Sequence, residues 1–346
     1  MDEAAPFQAS PQDDEEVGVE RSLRPTRLDE FIGQRRIVEN LRIAIEAAKA
    51  RGDVLDHVLF SGMPGLGKTT LASLIAGELG VELHITSGPA LDKPRNVIGL
   101  LTNLKRGDVL FIDEIHRLAT EAEEYLYSAM EDWKVDLLLG VGADARTLRI
   151  SVEAFTLVGA TTREGLLSAP FRSRFGIVEK FETYPPSDLL EIIRRSAKLL
   201  GCTIEDDGAL YLAERCRGTP RYANRFLRRI RDIAQWRIGG GRCEDPPAAG
   251  SLVITLEFVR EGLERLGIDD NGLDRIDRMI LDVLFLHKEP VGVKTIAVSI
   301  GEEERTIEDV YEPYLIQRGL LLKTPRGRRP SARASEMYRP SKELLS

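Results

Sequence analysis

The sequence predicts an α/β fold: a doubly wound parallel sheet, followed by a small helical domain and a C-terminal winged helix. Three observations carry this reading. Between Arg21 and Thr183, short apolar runs alternate with helical patterns, as βα units require. One of these runs, Val58–Phe60, leads into Gly62-Met63-Pro64-Gly65-Leu66-Gly67-Lys68-Thr69 and a further helical pattern. That strand–loop–helix setting is the one in which such glycine spacing has structural meaning. Beyond Pro185-Pro186 the pattern turns helical to Trp236, and the last part reads as three short helices and a basic hairpin.

Taken in order, residues 1–20 hold seven acids and no Lys or Arg, which reads as a disordered acidic tail. The sheet domain is expected over 21–183. Its strands are Val58–Phe60, Val81–Ile85, Val109–Ile112 and Thr156–Gly159, and its helices Arg35–Arg51, Thr69–Leu79 and Ala119–Asp132. One segment breaks the alternation: Val135–Leu139 and Leu148–Val152 flank a Gly-Val-Gly-Ala-Asp turn and predict an inserted hairpin. Leu148, Ile150 and Val152 alternate with Thr147, Arg149 and Ser151, which gives that hairpin one apolar face. A helical lid is expected over 184–256, with a loop at Gly239–Gly250. A winged-helix domain is expected over 257–346, with helices Leu273–His287, Lys294–Ser299 and Thr306–Arg318, a strand Leu320–Thr324 and the turn Pro325-Arg326-Gly327-Arg328.

Composition excludes several classes. The 346 residues are 42% hydrophobic and 30% charged, ordinary for a globular protein of two or three domains. No apolar run approaches a membrane span, and the acidic start lacks the basic and apolar regions of a secretion signal, so a cytoplasmic setting is expected. Cys202, Cys216 and Cys243 lack metal-ligand spacing and read as reduced thiols, and the four His are too scattered for a zinc site. The net charge of −8 hides a dipole: residues 318–340 carry seven bases against Glu336 alone.

The glycines at 62, 65 and 67 let backbone N–H groups close around a polyphosphate without a Cβ in the way. Lys68 then reaches the β/γ-phosphates, and the Thr69 hydroxyl suits Mg²⁺. Val109–Ile112 ends in Asp113-Glu114. Asp113 suits Mg²⁺ on a strand expected beside the phosphate loop, and Glu114 suits a general base acting on water. Thr156–Gly159 continues to Ala160-Thr161-Thr162, expected next to the Asp113 strand, where Thr162 or Thr161 senses the γ-phosphate or orients water. Two stretches offer Arg cations suited to phosphoryl transfer: Arg172 and Arg174 between Phe171 and Phe175, and Arg221 after Thr219-Pro220.

The phosphate loop, Asp113-Glu114, Thr162, Arg174 and Arg221 stand in the order and spacing of AAA+ ATPases. More specific stretches are Arg24-Pro25 with Phe31-Ile32-Gly33-Gln34, Ile85–Leu91, Phe111–Leu118, Gly159–Arg163, Arg172–Gly176, Gly218–Arg225, Glu312–Gln317 and Thr324–Arg328. Together these resemble the RuvB family, bacterial motors of Holliday-junction branch migration, over roughly residues 21–328.

The resemblance implies an AAA+ P-loop ATPase domain, a helical lid and a winged-helix domain, assembled as a homohexamer around double-stranded DNA. It implies ATP and Mg²⁺, with Gly65, Lys68, Thr69 and Thr70 on the phosphates and Leu23, Arg24 and Tyr184 around the base. It places Arg221 on the nucleotide from the lid and adds Glu131, Asp132 and Trp133 to the surroundings. Arg174 acts as a finger from the neighbouring subunit. The hairpin, through Leu148 and Ile150, docks the junction-binding partner RuvA, and the RuvC resolvase joins a larger complex. Lys323, Arg326 and Arg328 suit DNA backbone contact without base readout, as a motor running on any sequence requires. The acidic helix before them is a poor reading helix. Lys323 departs from the family's usual Arg, Glu304-Arg305 reverses the usual order, and Ser61 and Met63 replace Tyr and Pro. The alternatives are a clamp-loader-like ATPase, which would end in a helical collar, and a protein-remodelling ATPase, which would carry an aromatic pore loop. The basic hairpin separates them from the motor.

Overall fold

The computed structural model describes residues 22–139, 146–239 and 252–338. The acidic tail, the hairpin tip and most of the Gly239–Gly250 segment, Cys243 included, lie outside the described residues. These group into two compact units. One contains the residues up to Leu199 with Thr219–Asn224, and the other Leu200–Gly218 with the residues from Arg225 onward. The residues expected in the helical lid are thus divided between the units.

The first unit is built on five parallel strands: β1 (Val58–Ser61), β2 (Leu83–Ser87), β3 (Val109–Asp113), β6 (Thr156–Thr161) and β7 (Ile177–Lys180). They lie in the order β2-β3-β6-β1-β7. Val109–Ile112 and Val58–Phe60 are wholly buried, which is why these strands read as continuous apolar runs rather than alternating ones. Helix α1 (Arg35–Arg51) precedes β1, and α2 (Lys68–Leu79), α3 (Pro94–Leu101) and α4 (Thr120–Asp132) lie in the connections between strands. In α1 the buried Ile37, Leu41, Ile45 and Ala48 follow a helical period, and left-handed Gly52 ends it by donating its N–H to Ala48 and Lys49.

The sheet order corrects one expectation. The strand of Asp113 does not neighbour the phosphate-loop strand, because β6 lies between them, paired as Val58↔Val158 on one side and Phe111↔Val158 on the other. A separation of 45 residues between Lys68 and Asp113 is long enough for a crossover that skips a strand. The expected adjacency of β6 and β3 is observed.

The hairpin forms as β4 (Lys134–Leu139) against β5 (Arg146–Ser151), in the register Val135↔Ile150 and Leu137↔Leu148. Its apolar face is only partly free. Val135 and Val152 are in the core with Leu126, Phe155 and Phe171, and Leu137 and Ile150 pack against that core. Leu148 is 48% exposed.

A short helix α5 (Ala169–Arg172) precedes β7, and α6 (Pro186–Leu199) ends the first unit's main segment. In the second unit, β8 (Cys202–Ile204) pairs in parallel with β9 (Leu252–Ile254). This interrupts the run read as helical from Ser187 to Trp236. Helix α7 (Asp206–Ala213) lies between these strands in the chain, as does α8 (Pro220–Ile238), which belongs to this unit from Arg225 onward, and α9 (Leu256–Arg265) follows β9. The winged helix comprises α10 (Arg275–Leu286), α11 (Val293–Ile300), and α12 (Glu304–Thr306) running through a π turn into α13 (Glu312–Gln317). The hairpin of β10 (Leu321–Thr324) and β11 (Gly327–Pro330) follows, then α14 (Ala332–Met337). Its core centres on Ile280, Leu284, Ile296, Ile307, Leu315 and Leu321. Asp274 and Asp277 form a capping box at the start of α10, and the Arg217 guanidinium binds both carboxylates within the unit.

Candidate nucleotide site and wing

The carboxyl ends of parallel strands share one edge of a sheet, and ligands of such folds bind there. At this edge β1 runs into the phosphate loop, β6 into Thr161-Thr162 and β3 into Asp113-Glu114. Gly62, Gly65 and Gly67 have φ of 141°, 79° and 100°, a region that side chains disfavour. A Cβ on Gly62 would lie 2.9 Å from the Phe181 carbonyl oxygen, and one on Gly65 would lie 2.9 Å from the Arg221 Cβ. The loop therefore needs glycine for close approach as well as for its turns. Behind it, Tyr184 is buried and donates to the Leu66 carbonyl at 3.1 Å. Leu23 is buried, its carbonyl accepting from Arg195 at 2.8 Å, and Arg24 is half-buried.

Lys68 opens α2 and is 7% exposed, its Nζ donating to the Gly62 and Met63 carbonyls at 2.7 and 2.8 Å. Burial pushes its ammonium down to about 8, against the pull of Asp113 and Glu114, and the Arg221 charge adds to the depression. A polyanion bound beside this buried ammonium would favour its charged form. Thr69 and Thr70 are half-buried at the same helix start. Asp113 accepts the Glu114 N–H at 2.9 Å, and Glu114 adopts a left-handed φ of 51° that turns the chain away from the strand. The glycine cradle, the buried Lys68 and the oxygens of Thr69 and Asp113 thus fit a magnesium nucleotide.

Thr161 and Thr162 differ in their surroundings. Thr161 is fully buried, its Oγ1 accepting the Arg163 N–H at 2.9 Å and lying 2.9 Å from His116 Nδ1. Thr162 is half-buried at the strand end.

Arg174 is held by Glu131 and Tyr127. Its Nη2 lies 2.5 Å from Glu131 Oε2 and donates to the Tyr127 hydroxyl, and its guanidinium covers the Tyr127 ring at 4.6 Å. Asp132 is exposed beside Glu131. Trp133 is turned inward, 5.9 Å from the His57 ring and 5.8 Å from Phe155, a core contact rather than an open face. Arg172 is exposed and reaches Glu164 at 4.0 Å. Sequence reasoning missed Tyr127 and His116. Tyr127 sits one helical turn before Glu131, on the same face of α4, which is the signal that would have found it.

On the wing, Arg326 is exposed, and Lys323 is exposed with its Nζ 3.3 Å from Glu312. Arg328 departs from the expectation of free DNA contact. It is 8% exposed and held by Glu312 at 2.5 Å and Glu308 at 2.7 Å. The acids read as repelling DNA are the partners that take this arginine inside, because Glu312 is buried and needs a cation. Arg329, not singled out above, is exposed on the same strand.

A RuvB from Nitratidesulfovibrio vulgaris is 52% identical over 320 residues, covering 92% of this chain and 96% of the relative. The chain belongs to the RuvB family. A Chlorobium phaeobacteroides RuvB is 53% identical over 92% of this chain and 89% of its own. Both relatives are described as subunits of the Holliday junction branch migration complex. Family models for the RuvB P-loop domain, the RuvB AAA lid domain and the RuvB C-terminal winged helix domain match residues 23–181, 184–269 and 270–339. The crystal structure of the Thermotoga maritima RuvB branch migration motor superposes with a TM-score of 0.79 at 48% identity, covering 91% of this chain and 97% of that one. Fold and order of domains are therefore those of RuvB. Among the described residues, no helix is long and apolar enough to cross a membrane.

Proposed function

We propose that this protein is an ATP-hydrolysing motor that drives branch migration of Holliday junctions, working as a homohexamer on double-stranded DNA. The observation that carries the reading is the sheet edge, where a glycine-cradled loop, a buried Lys68, the Asp113-Glu114 pair and Thr162 share one end of three strands in a chain of the RuvB family. Gly62, Gly65, Gly67 and Lys68 hold the phosphates of ATP, and Thr69 and Asp113 hold Mg²⁺. Mg²⁺, when bound, neutralises charge developing on the phosphoryl oxygens. Thr70 adds a donor at the helix start, and Leu23, Arg24 and Tyr184 surround the base. Glu114 takes a proton from the attacking water, Thr162 holds that water or the γ-phosphate, and Arg221 neutralises it from beside Gly65.

Arg174 belongs to a neighbour's site. Its pairing with Glu131 and Tyr127 keeps the guanidinium at a surface of its own subunit, presented with Glu131 and Asp132. An arginine supplied in trans is worth about 10³–10⁵ in rate. The hairpin docks RuvA through Leu148, with Ile150 supporting it from the core side, and RuvC joins the larger complex. Lys323 and Arg326 meet the DNA backbone. A cytoplasmic setting follows from work on chromosomal DNA.

ATPase is measured with and without duplex DNA, then branch migration on a four-way junction with the junction-binding partner added. DNA should raise turnover and the junction should be processed. DNA-stimulated ATPase without junction processing would favour the loader alternative. Mixing Arg174→Ala with Lys68→Ala subunits should restore part of the turnover that each lacks alone. No recovery in rings that still assemble would remove the shared site.

A further inference from the structure

We propose that His116 is a positioning residue for the hydrolytic base, orienting the Glu114 carboxylate and tying it to the strand that carries Thr162. The proposal rests on the ATPase reading above. His116 lies in the 3₁₀ turn Ile115–Arg117 after β3, and its side chain is 2% exposed. Nε2 is 3.4 Å from Glu114 Oε2, and Nδ1 is 2.9 Å from Thr161 Oγ1 on β6. Thr161 Oγ1 accepts the Arg163 N–H at 2.9 Å.

Donor and acceptor chemistry sets the direction of this chain. An ionised carboxylate only accepts, so the nitrogen facing Glu114 carries the proton. In a neutral imidazole Nδ1 is then bare, and the single hydroxyl proton of Thr161 satisfies it. The Thr161 lone pair meanwhile receives the Arg163 N–H. The tautomer is assigned from this network. The result is one directed path: Arg163 N–H to Thr161, Thr161 O–H to His116, His116 N–H toward Glu114. The backbone ladder between β3 and β6 stops at Ile112↔Gly159, so the path joins the two strands beyond their last paired residues. Gly159 brings the turn this close, since a Cβ there would lie 2.9 Å from Ile115 Cδ1. A shift of the Thr161-Thr162 strand end would thereby reach the base through side chains alone.

Steady-state ATPase and equilibrium binding of a fluorescent ATP analogue with Mg²⁺ test this on the full chain. The variants are Glu114→Gln, His116→Phe, His116→Gln and Thr161→Val. His116→Phe should lower kcat by at least about tenfold, with KM and analogue affinity within about twofold of wild type. His116→Gln, whose amide both donates and accepts, should recover most of the loss. Thr161→Val should be slowed as well, and His116→Phe combined with it should fall no further, as expected for one connected path. A folded His116→Phe protein turning over within about twofold of wild type would overturn the proposal. So would affinity lost in step with turnover, or a His116→Gln protein as slow as His116→Phe. If His116→Phe does not fold, an unchanged kcat in Thr161→Val overturns it. A wild-type protein without ATPase would sink the enzymatic reading itself, whereas an active wild type with indifferent His116 variants sinks only this inference.

Discussion

Single residues at the sheet domain carry consequences that their types alone do not announce. His57 Nδ1 accepts the Leu157 N–H at 2.9 Å, so the native ring cannot take a proton there without setting two donors face to face. Burial first of all holds His57 below its ordinary 6.5, opposed by the Met130 carbonyl and Asp56. The unfolded chain protonates at the ordinary value while the native state resists, so the unfolded state binds more protons below it and stability falls as pH falls through that window. The slope is at most about 1.4 kcal/mol per pH unit. Urea midpoints at about pH 7.5 and about pH 5.5 should differ for wild type and converge for His57→Gln. Gly88 is a second such position. A Cβ there would lie 2.4 Å from the Glu114 carbonyl oxygen, so Gly88→Ala must displace the turn bearing the two carboxylates. Turnover should drop by at least about tenfold with nucleotide binding retained. Gly99→Ala, which meets nothing within 4 Å, is the matched control and should keep full activity.

Among elements, the two hairpins divide their residues between packing and presentation. Leu148→Asp should leave stability within about 0.5 kcal/mol while abolishing capture of the junction-binding partner. Val135→Asp, a fully buried position, should cost more than about 4 kcal/mol in a urea titration. On the wing, Arg328→Ala leaves the buried Glu312 with Lys323 as its remaining cation and should lower the urea midpoint, whereas Arg326→Ala should weaken DNA binding without moving the melting temperature. Elements with strong local signals were readable in the chain: Val58–Ser61 and Val109–Asp113 as apolar runs, Arg35–Arg51 by its period and its closing glycine. Ile177–Lys180 escaped because an edge strand that exposes Val178 and buries Glu179 shows no apolar run. Cys202–Ile204 is too short to have a period. The lateral place of β6 was invisible for another reason: parallel strands are joined by crossovers, and chain spacing does not say how many strands a crossover passes. The phosphate loop and the acidic pair were legible because their chemistry is local. The inward turn of Arg328 was not, since its acidic partners lie on another element and a basic hairpin reads the same whether its charges are spent or free.

At the scale of the whole molecule, the mean charge of −8 says little about its binding to DNA, because the bases gather near one end of the chain and the acids near the other. Salt is the variable that separates backbone contact from base readout. Binding should weaken steeply and to the same extent on unrelated duplex sequences, and strong sequence preference would argue against a translocating motor. The clamp that Glu308 and Glu312 place on Arg328 bears on how steep that weakening is. A guanidinium already neutralised by its own carboxylates displaces no condensed counterions on docking. Arg326, Arg329 and the exposed Lys323 then remain for the DNA backbone on each wing, so the log–log slope per subunit should be near −3 rather than the near −4 that four free bases would give. Each copy would grip its duplex loosely enough to let go and step.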